Sequence, residues 1–109
     1  MARSDFFLFT LVDLELTNQW VHDFLPYWYA LARPILLLDD FRDLEEDRTN
    51  GEENTIIEMG DDKNAIEEAY ALGMADLKIL SEVNEPLANF IGGLLKDSLK
   101  YEPVRLLLS

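Results

Sequence analysis

Residues 35–48 read ILLLDDFRDLEEDR, so a run of large aliphatic side chains passes directly into a dense run of carboxylates. The stretch has neither the strict alternation of a half-buried strand nor the intermixed charges of an ordinary surface helix. On a helix turning about 100° per residue, Asp39, Asp40, Asp43, Glu46 and Asp47 fall within an arc of about 120°. Leu37, Leu38, Phe41 and Leu44 take the opposite side. The stretch therefore reads as one helix with an apolar face to bury and a carboxylate ridge to place. Followed toward the N-terminus, the ridge continues through Leu36, Ala32, Tyr29 and Trp28, so one face changes from aromatic and aliphatic to strongly anionic.

The rest of the chain keeps a helical rhythm. Ser4 is a suitable N-cap for a helix over 5–24, and Pro26 suits the first turn of a second helix over 26–48. Pro34 predicts a kink in that second helix, a turn or two before the acids. Residues 49–54 form a loop with Gly51 as its flexible point, and a short turn follows through Ile56 and Ile57 to Gly60. Asp61 or Asp62 caps a third helix over 63–83, with Ile66, Ala69, Tyr70, Gly73, Leu77 and Leu80 on one stripe. Asn84 and Pro86 open a fourth over 86–100, where Leu87, Phe90, Ile91, Leu94, Leu95 and Leu99 recur at helical spacing. The apolar tail, 101–109, fits a docking segment or an unfinished fragment. The expectation is a single all-α domain over 1–109, a helical bundle.

Twenty-two acids against nine Lys and Arg leave a net charge of −13. That excludes the basic footprint of a nucleic-acid binder and opposes docking on anionic lipid. It also makes neutralisation by cations or by a basic partner favourable. With no cysteine there is no disulfide, no thiolate metal site and no cysteine nucleophile. The N-terminal run is broken by Asp5, Asp13 and Glu15 and lacks the form of a signal peptide. No stretch approaches the roughly 20 apolar residues of a membrane span. A cytoplasmic protein is expected.

Carboxylates crowded on one ridge repel by roughly 0.2–0.5 kcal/mol per exposed i,i+4 pair, and hard cations relieve that. Oxygen-only ligands favour Mg2+, with Mn2+ or calcium as alternatives. An EF-hand does not fit: with Gly51 at the sixth loop position, Arg48 falls at the third and Ile57 at the twelfth. An all-helical nucleotide pyrophosphatase would need an acid three residues before Asp76, where Gly73 stands. His22 is the only histidine, and its place near a helix end suits a surface or capping role. Gly92 and Gly93 point to close helix packing, or to a kink beside a ligand.

The segment LLLDDFRDLEEDRTNGEEN resembles the second aspartate-rich motif of class I isoprenoid synthases, the polyprenyl synthetases and their squalene/phytoene relatives. The DDxxD form falls on Asp39, Asp40 and Asp43, and the DxxxD-then-ED form on Asp39, Asp43, Glu46 and Asp47. The later helices, AIEEAYALGMADLKILSEV and PLANFIGGLLKDSLK, are similar to the C-terminal helices of that family. The resemblance implies a terpenoid-synthase-like helical fold. It implies that Asp39, Asp43 and Asp47, seconded by Asp40 and Glu46, hold Mg2+ and through it an isoprenyl diphosphate. Trp28, Tyr29, Ala32 and Leu36 would then line the pocket for the hydrocarbon. Metal-assisted ionisation of the diphosphate is the implied chemistry.

The chain spans about the last third of the family's length and carries neither a first DDxxD nor a pair of arginines for a second diphosphate. Gly51 is followed by Glu52 where many polyprenyl synthetases have lysine. Other chain segments, from a homo-oligomer or a partner, would have to complete the cavity. The alternative is a non-enzymatic acidic helical module that binds another protein. In that case the charge excess and apolar tail serve docking and not catalysis.

Overall fold

The computed structural model describes residues 18–109, which form six helices and, among the described residues, no strand. They are α1 (Asn18–Arg42), α2 (Leu44–Asn50), α3 (Thr55–Glu58), α4 (Lys63–Leu80), α5 (Glu85–Ser98) and α6 (Glu102–Leu108). The expected all-helical architecture is present. The long helices α1, α4 and α5 pack against one another, and the short ones close the body's flanks: α3 lies on α1 and α4, and α6 on α2 and α4. None of the described helices is long and apolar enough to cross a membrane.

Most of the helix expected over 5–24, with its Ser4 cap, lies outside the described residues. Its end does not stop before Pro26. Instead α1 runs unbroken across both Pro26 and Pro34. Each proline removes one ladder donor, yet Pro34 is fully buried and its ring helps to fill the interior. Nor does the next helix run on to residue 48, because the chain turns at Asp43, inside the acidic stretch. There the side-chain amide of Asn54 donates to the backbone oxygen of Asp40 at 2.8 Å. A side chain inserted beside the ladder is a recognised cause of such a break.

The remaining helices begin where their caps dictate. Asn54 accepts from Ile56 N, Asp62 from Ala65 N and Asn84 from Leu87 N, each satisfying a donor that a helix start leaves open. Gly51 ends α2 in the left-handed region, φ 67°, and its N–H returns to Asp47 O. Glycine suits the position because a Cβ there would be strained.

One apolar core joins these pieces. Leu37, Phe41 and Leu44 meet Ile56, Ile66, Leu77, Leu80, Ile91, Leu95 and Val104, all buried. Each such side chain contributes about 1.5–3 kcal/mol relative to exposure. The expected α4 stripe is buried except for Tyr70, which is half-buried. On α5 the buried line is Ala88, Ile91, Leu95 and Ser98, whereas Phe90 and Leu94 stay 64% and 40% exposed. The apolar tail forms α6, with Val104 buried and Leu107 and Leu108 packed against the core.

Candidate functional site

The five ridge carboxylates separate into two groups. Asp40, near the end of α1, and Asp47, on α2, are both buried. The covering segment is the loop after α2. Asp40 is 3% exposed and one of its carboxylate oxygens accepts from Thr55 N at 3.2 Å. Asp47 is 8% exposed and accepts from Asn54 Nδ2 at 2.9 Å. Asn54 itself is buried and uses the same amide group for Asp40 O. A buried carboxylate is tolerable when hydrogen-bonded, and these bonds tie α1, α2 and α3 together.

Asp39 and Asp43 lie further round the helix and are half-exposed. Both reach one guanidinium, with Arg42 Nη2 2.8 Å from Asp39 Oδ1 and Arg42 Nε 3.2 Å from Asp43 Oδ1. The hydrogen bond to Asp43, followed by the charges of Asp43 and Asp39, raises the Arg42 pKa. Glu46 is exposed. Close by, Arg48 grips Asp61 with two nitrogens at 2.6 and 2.8 Å and also meets Glu45 at 2.9 Å. Those Arg48 hydrogen bonds hold the Asp61 carboxyl below its usual range, although burial opposes them.

A five-carboxylate metal site is not what this arrangement offers. Among the described residues, no three His, Asp or Glu side chains are grouped to hold a metal ion. Two of the five are committed to backbone and amide donors. Asp39 and Asp43 converge on one cationic group, and a pair fits the one or two carboxylates with which a protein commonly holds Mg2+ beside phosphate.

A cavity lies elsewhere, between α1, α4 and the segment around α3, with a volume of about 350 Å³. Its walls are Leu36, Leu37, Met59, Ala69, Leu72 and Gly73, and its polar lining is Arg33, Glu53, Thr55, Glu58 and Asp76. Of the expected pocket residues only Leu36 lines it. Trp28, Tyr29 and Ala32 are half-buried outside it, where the Trp28 ring packs 5.9 Å from Phe24 and Tyr29 lies beneath the Arg33 guanidinium at 5.8 Å. None of the five ridge carboxylates lines the cavity, although Asp40 stands behind its wall through the bond to Thr55 N.

Arg33 and Asp76, both in the cavity lining, form an ion pair at 2.7 Å. Burial pushes the Asp76 carboxyl up, and the neighbouring Arg33 offsets that in part. Sequence reasoning did not single out Arg33, Glu53, Glu58 or Asp76 as a group. A signal existed for two of them: Arg33 is the one charge in the run FLPYWYALARPILLL, and Asp76 the one acid in ALGMADLKIL. A lone charge in an apolar stretch needs a partner.

Set beside protein-family models, curated proteins and solved structures, the chain matches none of them.

Proposed function

We propose that this chain is an acidic helical interaction module that engages a basic surface or segment of another protein. One observation carries the reading. Arg33, Arg42 and Arg48, the arginines of α1 and α2, already sit on the chain's own carboxylates, and a surplus of 13 negative charges still remains. That surplus makes neutralisation by a basic partner favourable, and it accelerates encounter with a cationic surface. The aspartate-rich stretch then serves the fold: Asp40 and Asp47 anchor the loop after α2, and the outer acids contribute to the field.

A basic partner that binds only the folded state raises the melting temperature, and the rise grows with the logarithm of its free concentration once that exceeds the dissociation constant. A lysine-rich peptide should therefore stabilise the protein at low ionic strength, and the shift should fall as salt is added. A melting temperature indifferent to such peptides would remove the reading.

A second reading follows the resemblance to isoprenoid synthases, and the convergence of Asp39 and Asp43 on one cationic group favours it. Mg2+ held by this pair would bind an isoprenyl diphosphate, and any ionisation would need a cavity completed by other chain segments. Magnesium with pyrophosphate should then raise the melting temperature, and Asp39→Asn with Asp43→Asn should abolish the rise. If the parent protein shows no rise, this second reading is lost.

A further inference from the structure

We propose that the cavity between α1, α3 and α4 is the seat for an apolar side chain of a basic amphipathic helix, whose lysines or arginines pair with Glu53 and Glu58. The proposal rests on the interaction-module reading and names where that module grips its partner.

The floor of the cavity is apolar and buried at Leu37, Ala69 and Gly73. Its mouth carries Leu72, 58% exposed, a large aliphatic side chain left in water beside a concavity. A volume of about 350 Å³ is ample for a leucine- or phenylalanine-sized anchor and falls at the small end of ligand cavities. The rim charges decide the sign of the occupant. Asp76 is held by Arg33, so that pair is locally neutral. Glu53 and Glu58 are exposed at the rim, and among the described residues neither is joined to a cation of this chain.

The site is thus greasy within and anionic around its opening. It matches a helix that presents an apolar residue with Lys or Arg one turn away, the helix-in-groove mode of recognition. A second copy of this chain is the wrong occupant, because two bodies of charge −13 repel.

The test uses a labelled leucine–lysine helical peptide of about 14 residues, long enough for several turns. Its binding to the full chain is read by fluorescence anisotropy. An oligolysine of equal charge and a leucine–glutamate peptide of equal length serve as comparators. Three variants are compared: Leu72→Lys, the double change Glu53→Gln with Glu58→Gln, and the control Glu67→Gln with Glu68→Gln on the exposed side of α4. All five positions are exposed, so circular dichroism should match the parent.

Leu72→Lys and the Glu53/Glu58 double variant should each weaken the leucine–lysine peptide at least about tenfold, with the control within about twofold. Oligolysine should bind more weakly, and Leu72→Lys, which adds one positive charge at the mouth, should weaken it far less than it weakens the leucine–lysine peptide. Equal losses in both double variants, or oligolysine binding as tightly as the amphipathic peptide, would overturn the cavity assignment and leave the module reading standing. Equal binding of the leucine–glutamate peptide would also overturn it. If neither basic peptide binds the parent, the module reading falls together with the cavity.

Discussion

Asn54 shows how one side chain can govern the meaning of a motif. Its amide group donates to Asp40 O and to the Asp47 carboxylate, while its oxygen caps α3 through Ile56 N. Replacing it with alanine leaves a buried carboxylate and a buried carbonyl short of donors and removes a cap. We expect Asn54→Ala to lower stability by about 2–4 kcal/mol, read from urea unfolding. Thr49→Ala, which removes an exposed hydroxyl bonded to Glu45 O, should cost far less.

Two further carboxylates give opposite pH dependences. Asp61 has its pKa depressed by Arg48, so its contribution is present at neutral pH and is lost as pH falls through the folded-state value. Asp76 has its pKa raised by burial, so its contribution is complete in acid and is lost as pH rises through the folded-state value. Urea midpoints measured across the acidic range should show Asp61→Asn losing less stability than the parent on acidification. Asp76→Asn should gain on the parent as pH rises toward neutrality.

At the scale of elements, α4 packs on both α1 and α5, and Gly73 is a point of close approach to both. A Cβ there would lie 3.1 Å from Leu37 Cδ2 and 3.3 Å from Leu95 Cδ1, so one missing side chain seats α1 and α5 together. The two glycines that stood out in the sequence are different. A Cβ on Gly92 would make ordinary contact at 3.6 Å with Leu77, and one on Gly93 would meet nothing within 4 Å. Gly93→Ala should therefore stabilise the protein by about 1 kcal/mol, the ordinary helix preference. Gly73→Ala should bring no comparable gain, because crowding of the two leucines offsets it. Thermal melts of the two variants side by side separate these outcomes. The expected α4 and α5 were legible because caps and apolar spacing are local signals. The continuity of α1 through Pro26 was not, because burial of its apolar face outweighs the loss of ladder bonds, and burial depends on distant residues.

For the whole molecule, a charge of −13 is a persistent outward pressure. Salt screens it over a length of about 10 Å at 0.1 M. The melting temperature should therefore rise by a few degrees between low salt and about 0.5 M sodium chloride, more than loss of the exposed ion pairs takes away. A fall would show that the arginine clamps outweigh the general repulsion. The all-helical class, the α4 and α5 spans, their caps and the acidic character followed from sequence alone, because each depends on residue spacing within a few turns or on composition. The division of the carboxylates did not. A helical wheel places five acids on one arc, but only the returning loop selects Asp40 and Asp47 for burial and leaves Asp39 and Asp43 outside. Likewise the cavity gathers Arg33, Glu53, Glu58 and Asp76 from three separate segments, a meeting set by how helices cross and not by any spacing along the chain.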